Sequence, residues 1–121
     1  MKKLTGFYIG VYGKPAAETR TINDDVDELQ KIVGCRCFDI VHRKIGGKCF
    51  DIICDDEGLF RDQPVPSAIN GKMEVMLVGN LFICRHKGAE LQSLTDSDVE
   101  HIKSHLYYLV HTNTPVVFCE Y

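Results

Sequence analysis

The sequence predicts an α+β domain, a mainly antiparallel sheet of about six or seven strands with two helices packed on it. Three observations point there. Short runs of β-branched, aromatic and other apolar residues recur between Gly, Pro and Asn turn signals along the chain. Two stretches carry apolar residues at helical spacing behind a capping side chain. The 121 residues are 45% hydrophobic and 26% charged, the balance of one globular unit, so 1–121 is read as a single domain that can bury a core without a structural metal. No apolar run approaches the ~20 residues of a membrane-spanning helix, and no membrane contact is expected.

Leu4 to Tyr12 is a strand-like run ending at the turn Gly13-Lys14-Pro15, and Glu18 to Ile22 returns as the second arm of a hairpin. Asn23-Asp24-Asp25 supplies capping side chains and negative charge for a helix over Asp24 to Val33, in which Val26, Leu29 and Val33 recur at helical spacing. Lys31 falls in its last turn, and Gly34 suits the left-handed position just past the end. Cys35 to Ile45 and Lys48 to Cys54 flank Gly46-Gly47, a dipeptide fitted to the positive φ angles of a two-residue hairpin turn. Asp55-Asp56-Glu57-Gly58 closes this second hairpin, and Leu59 to Asn70, carrying Pro64 and Pro66, reads as a crossing loop. Lys72 to Arg85 is strand-like again, with a bulge or turn at Gly79-Asn80. Thr95 caps a second helix over Asp96 to Val110, with Val99, Ile102, Leu106 and Leu109 as its buried stripe. Thr112-Asn113-Thr114-Pro115 stops that helix, and Val116 to Tyr121 is a terminal strand.

A net charge of -3 and a pI near 5.9 argue against a general duplex-DNA binder, which needs a concentrated basic surface. The opening Met1-Lys2-Lys3-Leu4-Thr5-Gly6 reads as a strand rather than a secretory leader, so a cytoplasmic protein is expected. In that compartment the six cysteines, Cys35, Cys37, Cys49, Cys54, Cys84 and Cys119, are expected to be reduced and to act mostly as small buried hydrophobes.

Several constellations invite a chemical reading. His101 and His105 lie at helical i, i+4 spacing, and Cys84 and His86 fall on one side of a strand, a pattern able to hold zinc. Lys103 and Ser104 stand between the helical pair where a zinc protease motif would not have them, and Cys35-x-Cys37 and Cys49-x4-Cys54 miss the usual ligand spacing, so no metal and no cofactor are expected. Cys84 paired with His86 or His101 is a conceivable nucleophile, though no orienting third group is evident. Asp55, Asp56, Glu57 and Asp62 lack the order of a calcium loop and read as a solvated turn. More informative are two basic triplets near glycines, His42-Arg43-Lys44 before Gly46-Gly47 and Arg85-His86-Lys87 before Gly88. If sheet order brings these strand ends together, Arg43, Lys44, Arg85 and Lys87 would hold an anion such as a phosphate, with Tyr108 stacking on a base. Charged strand ends also keep sheet edges soluble without any ligand.

The run Ile22 to Gly34, then Phe50 to Leu59, then Val78-Gly79-Asn80, then Ser93 to Glu100, resembles a family known as a domain of unknown function in small proteins of phages and conjugative elements, chiefly of Firmicutes and their relatives. The resemblance covers roughly Ile22 to Leu106 by the order and spacing of segments. It implies a small accessory protein acting inside a bacterial cell, and it transfers no catalytic residue. The leading expectation is a non-catalytic protein that binds and neutralises a host defence component, sequestering a nucleotide-type signal. A protein–protein inhibitor or assembly partner, using an exposed strand edge or the Tyr107-Tyr108 region as its contact, is the first rival, with a homo-oligomer among the partners to expect. A cysteine- or metal-dependent enzyme is the second. A convergent basic pocket, an exposed apolar patch and a perturbed Cys/His cluster separate the three.

Overall fold

Alternation of buried and exposed positions along the two hairpins decides how the chain layers. The structure, a computed structural model, describes residues 2–12, 14–57, 64–110 and 112–120. Its elements are β1 (Lys3–Gly10), β2 (Ala16–Asn23), α1 (Val26–Val33), β3 (Phe38–Ile45), β4 (Lys48–Asp55), β5 (Pro66–Ile69), β6 (Val75–Val78), β7 (Leu81–Lys87), β8 (Glu90–Gln92), α2 (Asp96–Lys103), β9 (Leu106–Tyr108) and β10 (Pro115–Phe118). The larger sheet has the order β2-β1-β7-β4-β3, antiparallel throughout, with β8 paired to the end of β7. A second sheet has the order β6-β5-β10-β9, in which only β5 and β10 run parallel.

The larger sheet buries both faces. From one face Phe7, Ile9, Phe50, Ile52 and Ile83 meet Val99 and Ile102 of α2 and Ala68 and Val117 of the second sheet. From the other, Leu4, Tyr8, Ile53, Phe82 and Cys84 meet Leu29, Ile32 and Val33 of α1. The unbroken buried run Phe50 to Cys54 follows from this, because a central strand covered on two sides has no solvent face to mark with polar residues. Local signals place the helix starts. Asp25 caps α1 by accepting the Glu28 N–H at 2.8 Å, and Thr95 caps α2 in a reciprocal pair with Asp98. Gly46 and Gly47 take φ of 57° and 83°, as the two-residue hairpin turn requires.

The α+β class stands, but the strand count is about ten across two sheets among the described residues, not six or seven in one. Four differences account for this, two of them the short strands Glu90–Gln92 and Leu106–Tyr108. Pro66–Ile69, expected within a loop, is a strand because proline occupies its first position, where no ladder hydrogen bond is lost. The run Lys72 to Arg85 divides at Gly79, whose φ of 81° turns the chain from the second sheet into the first. There the Asn80 side chain accepts the Val11 and Tyr12 N–H groups at 2.9 and 3.3 Å and ties the crossover to the end of β1.

The second helix ends at Lys103 instead of Val110. Leu106, Tyr107 and Tyr108 pair with Val117, Val116 and Pro115, and the Phe118 N–H donates to the His105 carbonyl at 2.9 Å. The helical spacing of Leu106 was satisfied by a half-buried strand position instead, a contact set by Val117, eleven places further along the chain, that local periodicity does not encode. Expectations at Gly13, at Gly58 to Gln63 including Asp62, and at Tyr121 lie outside the described residues.

Candidate functional site

The tight Gly46-Gly47 turn fixes the register of β3 on β4, pairing Ile45 with Lys48, Arg43 with Phe50 and His42 with Asp51. On its other side β4 pairs with β7, placing Asp51 opposite Cys84. Cross-strand partners share a face, so His42, Asp51 and Cys84 form one row on the α1 side, and His86, two residues beyond Cys84, joins it.

Asp51 is 2% exposed, and a buried carboxylate must be compensated. Both oxygens are. Oδ1 accepts from His42 Nδ1 at 2.5 Å and Oδ2 from His86 Nδ1 at 2.6 Å. In both pairs the ring nitrogen that faces the carboxylate is Nδ1, which leaves each Nε2 turned away from Asp51. The two rings lie 5.4 Å apart between centroids, and their side chains are 71% and 51% exposed. A hollow of about 420 Å³, lined by His42, Cys49, Phe50, Asp51, Arg85 and His86, opens beside them. One strand-crossing bond network thus joins three neighbouring strands at a concave surface.

The residues expected to bind an anion are placed as follows. Sheet order does bring the two basic triplets close, onto β3 and β7 with β4 alone between them. Arg43 is half-buried on the face opposite His42, donates through Nη1 to the His42 carbonyl at 2.8 Å, and has a buried Nε with no partner. Arg85 lines the hollow, yet its Nη1 also reaches Asp98 at 3.3 and 3.4 Å. Lys44 and Lys87 are exposed on β3 and β7. Tyr108 lies on β9 in the second sheet, exposed, and is not among the residues lining this hollow.

Asp98 is the second buried carboxylate, 1% exposed, at the N-terminal turn of α2. Burial alone would raise its pKa. The Thr95 N–H, Lys48 at 3.0 Å and Arg85 outweigh that and hold it at about 2. Arg85 therefore fastens β7 to α2 as well as facing the hollow.

The other constellations resolve into internal bonds. His101 Nε2 meets the Ile45 carbonyl at 2.7 Å, and His105 Nδ1 meets the His101 carbonyl at 2.9 Å, so both rings serve the junction between α2 and the Gly46 turn. Cys84 is fully buried, and desolvation followed by the Asp51 and Asp24 charges pushes its pKa up to about 12. It is a protonated core thiol, not a nucleophile. Burial likewise pushes Cys54 up to about 11 and Cys119 to about 12.

Asp51 is the residue that sequence reasoning passed over. Two signals pointed to it: a lone acid inside Cys49-Phe50-Asp51-Ile52-Ile53-Cys54 needs a partner, and counting back through Gly46-Gly47 puts His42 opposite it. His86 had no such local signal, because the pairing of β7 with β4 is long-range.

Comparison with curated proteins and with solved structures returns no match. Among protein families, a model described as a domain of unknown function, DUF3846, matches residues 8–107, a span that includes His42, Asp51 and His86. The chain belongs to the DUF3846 family.

Proposed function

We propose that this protein is a non-catalytic binding module that captures a phosphate-bearing, nucleotide-type ligand at the end of β3, β4 and β7. The observation that carries this reading is that the two basic triplets lie at the same end of β3 and β7, the two strands flanking β4, beside a hollow of about 420 Å³. His42, His86 and Arg85 line that hollow, with Lys44 and Lys87 on the flanking strands to add long-range attraction for an anion. Capture without turnover is favoured because Cys84, the thiol nearest His86 in sequence, is buried and protonated. The resemblance to small proteins of phages and conjugative elements supports an accessory role inside a bacterial cell, in which removing the ligand neutralises a host defence signal.

A second reading rests on a different surface. β9 is an edge strand with Tyr107 and Tyr108 each 55% exposed, and such an edge suits strand addition by a partner protein or a second copy of this chain. The two readings part in one experiment. Protein purified from a bacterial host, denatured and analysed by mass spectrometry, should release a stoichiometric nucleotide, chemically intact. Release of a cleaved product would contradict capture without turnover, and a bound host protein with no nucleotide would favour the edge-strand reading.

A further inference from the structure

We propose that His42, Asp51 and His86 form a binding site for a divalent transition metal of the zinc class. This goes beyond the anion reading, which needs the cationic side chains and no metal.

The argument begins with what surrounds Asp51. A carboxylate that merely fastened strands would be served by buried donors, whereas both partners of this buried carboxylate are largely exposed imidazoles. The three side chains come from three adjacent strands of one sheet, so their origins are rigid while the rings remain free to adjust. Their donor atoms all lie within 4.8 Å of one another, and among the described residues no other group of three His, Cys, Asp or Glu side chains converges in this way.

Two imidazoles and one carboxylate are a donor set that suits zinc, with metal–ligand distances of about 2.0 to 2.2 Å. Tetrahedral geometry at those distances separates donor atoms by about 3.3 Å. The present nitrogen–oxygen contacts of 2.5 and 2.6 Å thus need to open by under about 1 Å, which rotation of two exposed rings supplies. The proton account closes as well. On binding, the hydrogen each ring shares with Asp51 leaves Nδ1, for Nε2 of the same ring or for solvent, and the freed Nδ1 lone pair becomes the ligand. The remaining coordination position faces the hollow. The two imidazoles favour zinc over magnesium or calcium, which prefer all-oxygen donor sets.

The test is a titration of untagged, chelator-treated protein with Zn²⁺ alone, followed by Co²⁺ absorption spectroscopy to report coordination. One equivalent should bind, with visible bands of low-symmetry cobalt. His42→Ala and His86→Ala should each weaken the affinity by about tenfold or more; each also strips one oxygen of buried Asp51 of its donor, so a lowered but still cooperative thermal transition is expected, and affinities are read well below it. Asp51→Asn should do the same, and because it is isosteric it checks the carboxylate without emptying a core position. Cys37→Ser, at an exposed cysteine away from the cluster, should change nothing. Binding that disappears with Cys37→Ser but survives both histidine substitutions would overturn the proposal. So would wild-type binding no tighter than that of the doubly substituted His42→Ala, His86→Ala protein.

Discussion

Leu29→Asp is expected to abolish the cooperative fold. Leu29 is buried on α1 against Leu4, Tyr8, Ile53 and Phe82, the patch that closes one side of the larger sheet. Removing that side chain from the core costs about 2 to 4 kcal/mol, and placing an uncompensated carboxylate there adds several more, against a total stability of roughly 5 to 15 kcal/mol for a domain of this size. Urea denaturation followed by far-UV circular dichroism is the check. Leu29→Ala, which makes only the cavity, should remain folded with a midpoint clearly below that of the unsubstituted protein. An unchanged melting temperature in Leu29→Asp would remove α1 from the core.

The second large effect concerns Asp98. Asp98→Ala removes the acceptor for the Thr95 N–H and for two cations, Lys48 and Arg85, and should cost about 3 kcal/mol, the sum of a lost helix cap and a charge-assisted bond. Lys48 and Arg85 can turn to solvent, being 40% and 44% exposed, which keeps the loss below that of a fully buried ion pair. The same network gives the protein an acid-sensitive stability. Folding lowers the Asp98 pKa from 3.8 to about 2, so the stabilisation is fully present above pH 3.8 and is lost as pH falls through about 2. A difference of nearly two units corresponds to about 2 kcal/mol. Equilibrium unfolding between neutral and strongly acidic pH should show that decline in the native protein and a shallower one in Asp98→Ala. Identical slopes would place the acid sensitivity elsewhere.

What could be read from the sequence was whatever depends on neighbours along the chain. A cap within Asn23-Asp24-Asp25, Thr95 as the second cap, Gly34 as a helix stop and Gly46-Gly47 as a hairpin turn are local choices, and the structure has each of them, with Asp25 as the first cap. What escaped depends on distant partners. Leu106 keeps helical register with Ile102, yet pairing with Val117 makes it part of a strand. Gly79 was legible as a break, but not as the point where one run splits between two sheets. The same division runs through the site. His42 opposite Asp51 follows from a two-residue turn, whereas His86 enters through the pairing of β4 with β7, and Arg85 is drawn to Asp98 by the way α2 crosses the sheet. The triplets thus converge as strand ends, while the side chains that meet are the two histidines.

That division also decides how the anion site is best probed. Arg85→Ala would disturb the fold through Asp98, and Arg43 is half-buried against its own strand, so neither isolates a ligand contact. Lys87 is exposed and free of that complication, while His86, though exposed, also serves buried Asp51. Isothermal titration of the native protein with a panel of linear and cyclic nucleotides, with a chelator present throughout, measures anion capture alone. At least one nucleotide should bind, and His86→Ala and Lys87→Ala should each weaken it by about 1 to 3 kcal/mol, Lys87→Ala without lowering the melting temperature and His86→Ala with some loss as Asp51 gives up a donor. No heat across the panel, or affinities unchanged in both variants, would contradict the placement of a nucleotide site at the end of β3, β4 and β7.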